Sequence, residues 1–262
     1  NACQHLGGKA PVLVGAAGIW DRNRDHRPDP AVYVRQAVEL SQFAEDNGAD
    51  GVVLTIPDAL VPKEGQSYPD LIVEYYTTVC GAVKIPVLVY QPPGTPKEYH
   101  ISPQLASRLA DIPNLKGMKL SNADAGRIFD LIWETQGKDF AFIAGAETSF
   151  YAALWAGARA VIGQGACLNP QVMRAMQDYF EKGDTDRARE AQRSINVLVY
   201  GCNNPADFMK RYAAEKGYKV GGYSRSVGDN PYMDDFTPLT EDDYKRFKAL
   251  LESELAKYNG RP

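Results

Sequence analysis

Six short apolar runs, each followed by a longer amphipathic stretch, leave this chain few ways to fold. They are PVLVGAAG from Pro11, GVVLTIP from Gly51, PVLVYQPPG from Pro86, LKGMKLS from Leu115, FAFIAGAE from Phe140 and AVIGQG from Ala160. A run apolar at nearly every position has no face to offer water, so each reads as a strand of a parallel sheet covered by helices on its faces. The stretches between them carry helix-end signals. Asp29-Pro30 opens one helix and Gly48 closes it, Ser102-Pro103 opens another, and Asn169-Pro170 opens a third that stops near Gly183. Asp, Ser and Asn are N-cap residues, proline fits the first helical turn, and glycine suits the residue past the end. The unit is strand then helix, repeated, which fits either a barrel or a doubly wound sheet.

After the sixth run the alternation stops. Three amphipathic helical segments follow, 185–200, 205–216 and one opened by Thr240, which with Asp243 makes a start resembling a capping box. They bring no strands, so the expected organisation is a (β/α) barrel portion over residues 1–183 and a C-terminal helical extension packed on it over 184–262. Residues 217–235, rich in Gly, Ser and Asn, read as an ordered surface loop. The opening NACQHLGG reads as the end of a helix in progress. A closed eight-stranded barrel would need two further βα units upstream, roughly 50 to 60 residues.

Composition removes several function classes. The 262 residues are 44% hydrophobic, enough for a substantial core, and the net charge of −4 with dispersed Lys and Arg lacks the footprint of a nucleic-acid binder. A small molecule is the expected partner. Cys3, Cys80, Cys167 and Cys202 are far apart with no CxxC pair, which fits reduced thiols in a cytoplasmic protein better than a disulfide framework. No run reaches the roughly 18 apolar residues of a membrane helix. His5, His26 and His100 lack metal-ligand spacing, and GAAG and GQGA lack the nucleotide-binding fingerprints, so no metal or cofactor is expected. The charges from Asp21 to Asp29 read as a solvated loop near the barrel mouth, with gating of the site as the alternative.

Lys119 and Tyr90 carry the chemistry. Each lies at the carboxyl end of its strand, the edge on which the βα loops of a parallel barrel assemble an active site. Desolvation disfavours an ammonium, and lowering a lysine pKa from about 10.4 toward roughly 7 to 8 supplies the neutral amine that attacks a carbonyl. The alternative is a lysine that snorkels to solvent or pairs with a carboxylate. A strand-end phenol can pass protons beside such an amine, or it can be a half-buried tyrosine with a bonded hydroxyl.

VLVYQPPG followed by LKGMKLSNAD resembles the strand-end tyrosine with its proline-glycine turn, and then the glycine-x-lysine strand, of the dihydrodipicolinate synthase and N-acetylneuraminate lyase family. FAFIAGAE and AVIGQG resemble that family's last two strands. The similarity runs from about Pro11 to Gly183, with a looser likeness in the tail. The resemblance implies a (β/α)8 TIM barrel with C-terminal helices, of which this chain holds strands three to eight. It also implies that Lys119 forms a Schiff base with pyruvate or a longer 2-oxo acid and that Tyr90 relays protons. Members that hold a polyol tail use positions matching Ser121, Gly145, Glu147 and Gln164; the alternatives are that Ser121 caps the next helix and that Gly145 allows close packing. A homodimer or homotetramer is the implied assembly.

Three departures bear on the substrate. The loop that grips the pyruvate carboxylate belongs before Asn1. The family's tyrosine pair after its fourth strand is replaced by TIPDAL, with Asp58 and Ala59. Thr95 stands where true dihydrodipicolinate synthases carry an arginine for the second substrate. The expected activity is therefore a class I aldolase or lyase acting on a sugar acid, 4-hydroxy-2-oxoglutarate or sialic-acid-like substrate. The alternatives are dihydrodipicolinate synthase itself, an imine-dependent dehydratase, or a barrel that binds 2-oxo acids without turnover.

Overall fold

A computed structural model describes residues 2–221 and 239–259. Each of the six apolar runs contributes a strand: β1 (Leu13–Gly15), β2 (Gly51–Thr55), β3 (Val87–Gln91), β4 (Leu115–Leu120), β5 (Ala141–Ala144) and β6 (Ala160–Val161). They form one sheet in sequence order, and β1 to β5 pair in parallel. A doubly wound sheet reverses its strand order at a switch point, whereas a (β/α)8 barrel adds each strand beside the last. The order without reversal makes this a barrel architecture, with helices following the strands.

The helices are α1 (Ala2–Leu6), α2 (Pro30–Asp46), α3 (Tyr68–Ala82), α4 (Pro103–Ala110), α5 (Ala125–Glu134), α6 (Phe150–Ala156), α7 (Pro170–Glu181), α8 (Thr185–Gly201), α9 (Pro205–Glu215) and α10 (Glu241–Ala256). Their ends follow the capping chemistry. Asp29 accepts the Val32 N–H, Ser102 accepts the Leu105 N–H, and Thr240 accepts the Asp243 N–H. Asn169 departs from expectation: α7 begins after it, but its side chain makes no cap hydrogen bond. No helix among the described residues is long and apolar enough to cross a membrane.

The chain forms two compact units, residues 1–145 with 156–160, and residues 146–155 with 161–262. The boundary expected after residue 183 lies within the second unit, where α7 and α8 are neighbours. Most of the expected 217–235 loop, from residue 222 on, lies outside the described residues.

In the first unit, strand periodicity sorts the side chains onto two faces. Val52, Leu54, Val87, Val89, Met118, Leu120, Phe142 and Ala144 share one face and are buried, and Ile72, Tyr76, Leu105, Leu109, Ile128 and Leu131 supply the helical part of the core. Each Val, Leu, Ile, Phe or Met among them contributes about 1.5–3 kcal/mol when fully buried. The Tyr76 hydroxyl is satisfied inside this core by the Leu54 carbonyl at 3.1 Å. The opposite face carries Val53, Thr55, Leu88, Tyr90, Lys119 and Ile143, all only half-buried.

The second unit is held by aromatic packing. Phe208 meets Phe247 edge-on at 4.6 Å between ring centres and lies 5.1 Å from Tyr244, with Leu198 and Leu251 completing the cluster.

Candidate active site

Parallel pairing sets Thr55 beside Tyr90, Tyr90 beside Lys119 and Lys119 beside Ile143. All four lie at the carboxyl ends of their strands on the half-buried face. The Lys119 Nζ sits 4.4 Å from the centre of the Tyr90 ring. Among the described residues no carboxylate lies within ion-pair distance of it. The apolar neighbours that flank Lys119 in sequence, Met118 and Leu120, are buried on the other face of the sheet. What surrounds the amine is decided by cross-strand partners, because side chains alternate along a strand.

Ser121 and Gly145 join this group. The Ser121 Oγ donates to the Tyr90 Oη at 3.4 Å, and the Gly145 N–H donates to the Leu120 carbonyl at 2.9 Å. A Cβ on Gly145 would fall 2.6 Å from the Ser121 Oγ and 2.7 Å from the Leu120 carbonyl oxygen. Close packing against the end of β4 thus gives this glycine a sufficient structural reason. The first unit therefore brings together Lys119, Tyr90, Ser121 and Gly145.

Glu147 and Gln164 belong to the second unit. The Glu147 side chain is buried, and its Oε1 accepts the Gly165 N–H at 2.7 Å. Added side chains at Gly163 or Gly165 would run into that carboxyl group. Gln164 is exposed on the same short turn. Both residues line a cavity of about 60 Å³ with Asn169, Leu168, Leu198 and Phe247. Asn169 is 1% exposed, and among the described residues neither of its side-chain polar atoms has a hydrogen-bond partner.

The charged segment after β1 is anchored. The Arg27 Nη1 donates to the Asp58 carbonyl at 2.8 Å, its guanidinium lies 5.6 Å from the Trp20 ring centre, and the Trp20 indole donates to the Asn23 carbonyl. Burial pushes the Asp58 carboxyl above the usual carboxylate range, opposed by Arg22, Arg27 and Arg24. Asp58 follows β2 at the same edge of the sheet as Tyr90. Gln91 and Arg127 drew no notice in the sequence, and His100 only as a histidine without metal-ligand spacing; behind Tyr90, Arg127 bonds both Gln91 and His100. Their spacing gave no signal, since no short motif joins them.

Residues 31–253 match the family described as the dihydrodipicolinate synthetase family. The chain belongs to that family. It is 32% identical over 192 residues to a 4-hydroxy-tetrahydrodipicolinate synthase of Methanospirillum hungatei, covering 73% of this chain and 59% of that protein. A DapA-like lyase of Halobacterium salinarum, described as uncharacterized, is 27% identical over 255 residues, which are 96% of this chain and 72% of its own. The chain spans 58–59% of the length of the first two curated relatives. Among solved structures, a monomeric dihydrodipicolinate synthase variant superposes with a TM-score of 0.75 at 22% identity, covering 97% of this chain and 77% of that one. YagE, a prophage protein of the same family from E. coli K12 solved with pyruvate, gives a TM-score of 0.75 at 22% identity, covering 97% and 78%. At that identity the structural likeness speaks for the fold.

Proposed function

We propose that this family member is a class I aldolase or lyase in which Lys119 forms an imine with pyruvate or a longer 2-oxo acid and Tyr90 relays protons. The observation that carries this reading is the 4.4 Å approach of the Lys119 nitrogen to the Tyr90 ring on paired strand ends. In its neutral form Lys119 attacks the ketone carbon, the carbinolamine loses water, and the resulting iminium withdraws electrons from the adjacent carbon. In cleavage the bond beyond that carbon breaks, its electrons enter the iminium to give an enamine, and the departing hydroxyl becomes a carbonyl. Tyr90 takes the hydroxyl proton and returns a proton to the enamine carbon, after which hydrolysis frees pyruvate. Condensation runs the same steps backwards.

Thr95 bears on the second substrate. It is 9% exposed and its Oγ1 donates to the Pro92 carbonyl at 2.8 Å, so this position offers no cation to a carboxylate. That favours a sugar-acid, 4-hydroxy-2-oxoglutarate or sialic-acid-like substrate over aspartate semialdehyde. Ser121 and Gly145, in the same unit as Lys119, are proposed contacts of its polar tail. A homodimer or homotetramer is the proposed assembly.

The test is intact-mass spectrometry after incubation with pyruvate and borohydride, with peptide mapping and a Lys119→Ala control. A reduced adduct on Lys119 supports the reading. Binding of pyruvate with no adduct, in the full-length protein, would replace it with a 2-oxo-acid-binding barrel.

A further inference from the structure

The turn behind Tyr90 is closed by an arginine and a histidine that the imine chemistry leaves unused. Strand β3 ends at Tyr90 and Gln91, and residues 92–101 lead to α4. Gln91 is 3% exposed on the helix side of the sheet, and its Oε1 accepts the Ile101 N–H at 3.0 Å, so the last residue of β3 is joined to the last residue of the turn. His100 crosses the turn: its Nε2 lies 2.8 Å from the Thr95 carbonyl. Its Nδ1 lies 3.1 Å from the Arg127 Nη1, which reaches in from α5. The Arg127 Nη2 donates to the Ile101 carbonyl at 3.2 Å and meets the Gln91 Oε1 at 3.5 Å.

These contacts determine where the imidazole proton sits. A guanidinium has only donors, so the nitrogen facing Arg127 must present its lone pair. The nitrogen facing the Thr95 carbonyl must carry the hydrogen. These partners select the Nε2–H tautomer of His100, and a proton on Nδ1 would set two donors against each other. Arg127 bonds only neutral acceptors here. Burial works against its charge, and Asp124 at the N-cap of its own helix acts on it in the opposite sense. The other charged groups on the turn, Lys97 and Glu98, are exposed.

We propose that Arg127 and His100 are positioning residues, a latch that holds the turn after Tyr90 and closes only while His100 is neutral. Its catalytic consequence rests on the imine reading above. Lys119 is placed by the β4 ladder, so opening the latch leaves imine formation intact. Tyr90 borders the turn directly, so the proton transfers that pass through the phenol slow down.

Two measurements on the full chain test this. Nitrogen NMR of the histidine rings, with His100→Gln to assign the signal, is expected to show a fixed Nε2–H tautomer at about pH 7.5. Acidification should protonate the ring and speed hydrogen exchange at the Ile101 amide together. An Nδ1–H or mixed tautomer, or Ile101 exchange indifferent to the ring's protonation, would overturn the latch. The second measurement compares borohydride trapping with deuterium uptake into the pyruvate methyl group in Arg127→Met, Arg127→Lys and His100→Gln. Arg127→Met should trap imine at close to the wild-type level yet exchange about tenfold more slowly. Arg127→Lys should recover part of the rate, and His100→Gln should flatten the acid limb of exchange. Equal loss of trapping and exchange would mean that Arg127 only supports the fold, which overturns its positioning role. If wild type traps no imine, the lysine reading fails by itself, and the substrate-free NMR still decides the latch.

Discussion

Lys119 lies over the face of Tyr90, with its nitrogen 4.4 Å from the ring centre and the two strands paired in register. An amine and a phenol held this way can share one reacting carbonyl, and their roles separate by substitution. Lys119→Ala is expected to abolish borohydride-trappable imine. Tyr90→Phe keeps the ring and removes the proton, so it should retain the imine and lower turnover by about 10²–10⁴-fold, the usual weight of general acid-base help. Quantitative trapping alongside the rate of methyl-proton exchange checks both, and Tyr90→Phe with unchanged exchange would remove the phenol from the mechanism.

Gly145→Ala places a methyl group against both a side chain and the β4 backbone, 2.7 Å from the Leu120 carbonyl oxygen. Backbone at a strand end yields little, and overpacking of this kind costs about 1–3 kcal/mol. A urea titration should show the loss as a lower midpoint with an unchanged slope. At Gly163 a Cβ would fall 2.2 Å from the Glu147 Cγ and Cδ, and that side chain is buried and bonded to the Gly165 N–H. Gly163→Ala should therefore cost at least as much stability as Gly145→Ala.

Asp58 makes a pH prediction whose sign is opposite to the usual carboxylate. Burial raises its folded-state pKa above the ordinary 3.8, with Arg22, Arg27 and Arg24 opposing. Below 3.8 the group is protonated in both states and contributes nothing to their difference. As pH rises through the window above that value, the unfolded chain ionises first and gains stability over the folded one, and the penalty then persists to neutral pH. Asp58→Asn should raise the melting temperature near neutrality, with the gain fading as pH falls toward the ordinary value. A gain that grew on acidification would show that the arginines outweigh the burial.

Phe247 anchors the second unit, 4.6 Å from the Phe208 ring centre and 3% exposed. Phe247→Ala should cost about 3–5 kcal/mol by loss of burial and cavity formation. Calorimetry or denaturant unfolding followed by tryptophan fluorescence would register it. A loss below about 1 kcal/mol would mean that the cluster repacks around the gap.

The sequence by itself determined the order of elements and their ends. Asp29, Ser102 and Thr240 cap their helices as read, because a cap is a bond to an amide three residues away and needs no knowledge of the fold. Lys119 and Tyr90 were legible as strand-end residues for a related reason, since β propensity and apolar runs are local properties. Tertiary structure decided what those residues touch. The meeting of Tyr90 with Lys119 depends on the register of two parallel strands 29 positions apart in chain numbering. Gly145 against Ser121, Glu147 against Gly165 and Arg127 against His100 likewise join residues separated by 18 to 27 positions. His100 looked idle in the sequence because its nearest charged partner arrives from another helix, and Asn169, which read as a cap, turns its amide into a cavity instead. Local bonding is written in neighbouring residues, whereas the environment of a side chain is set by packing that brings distant segments together.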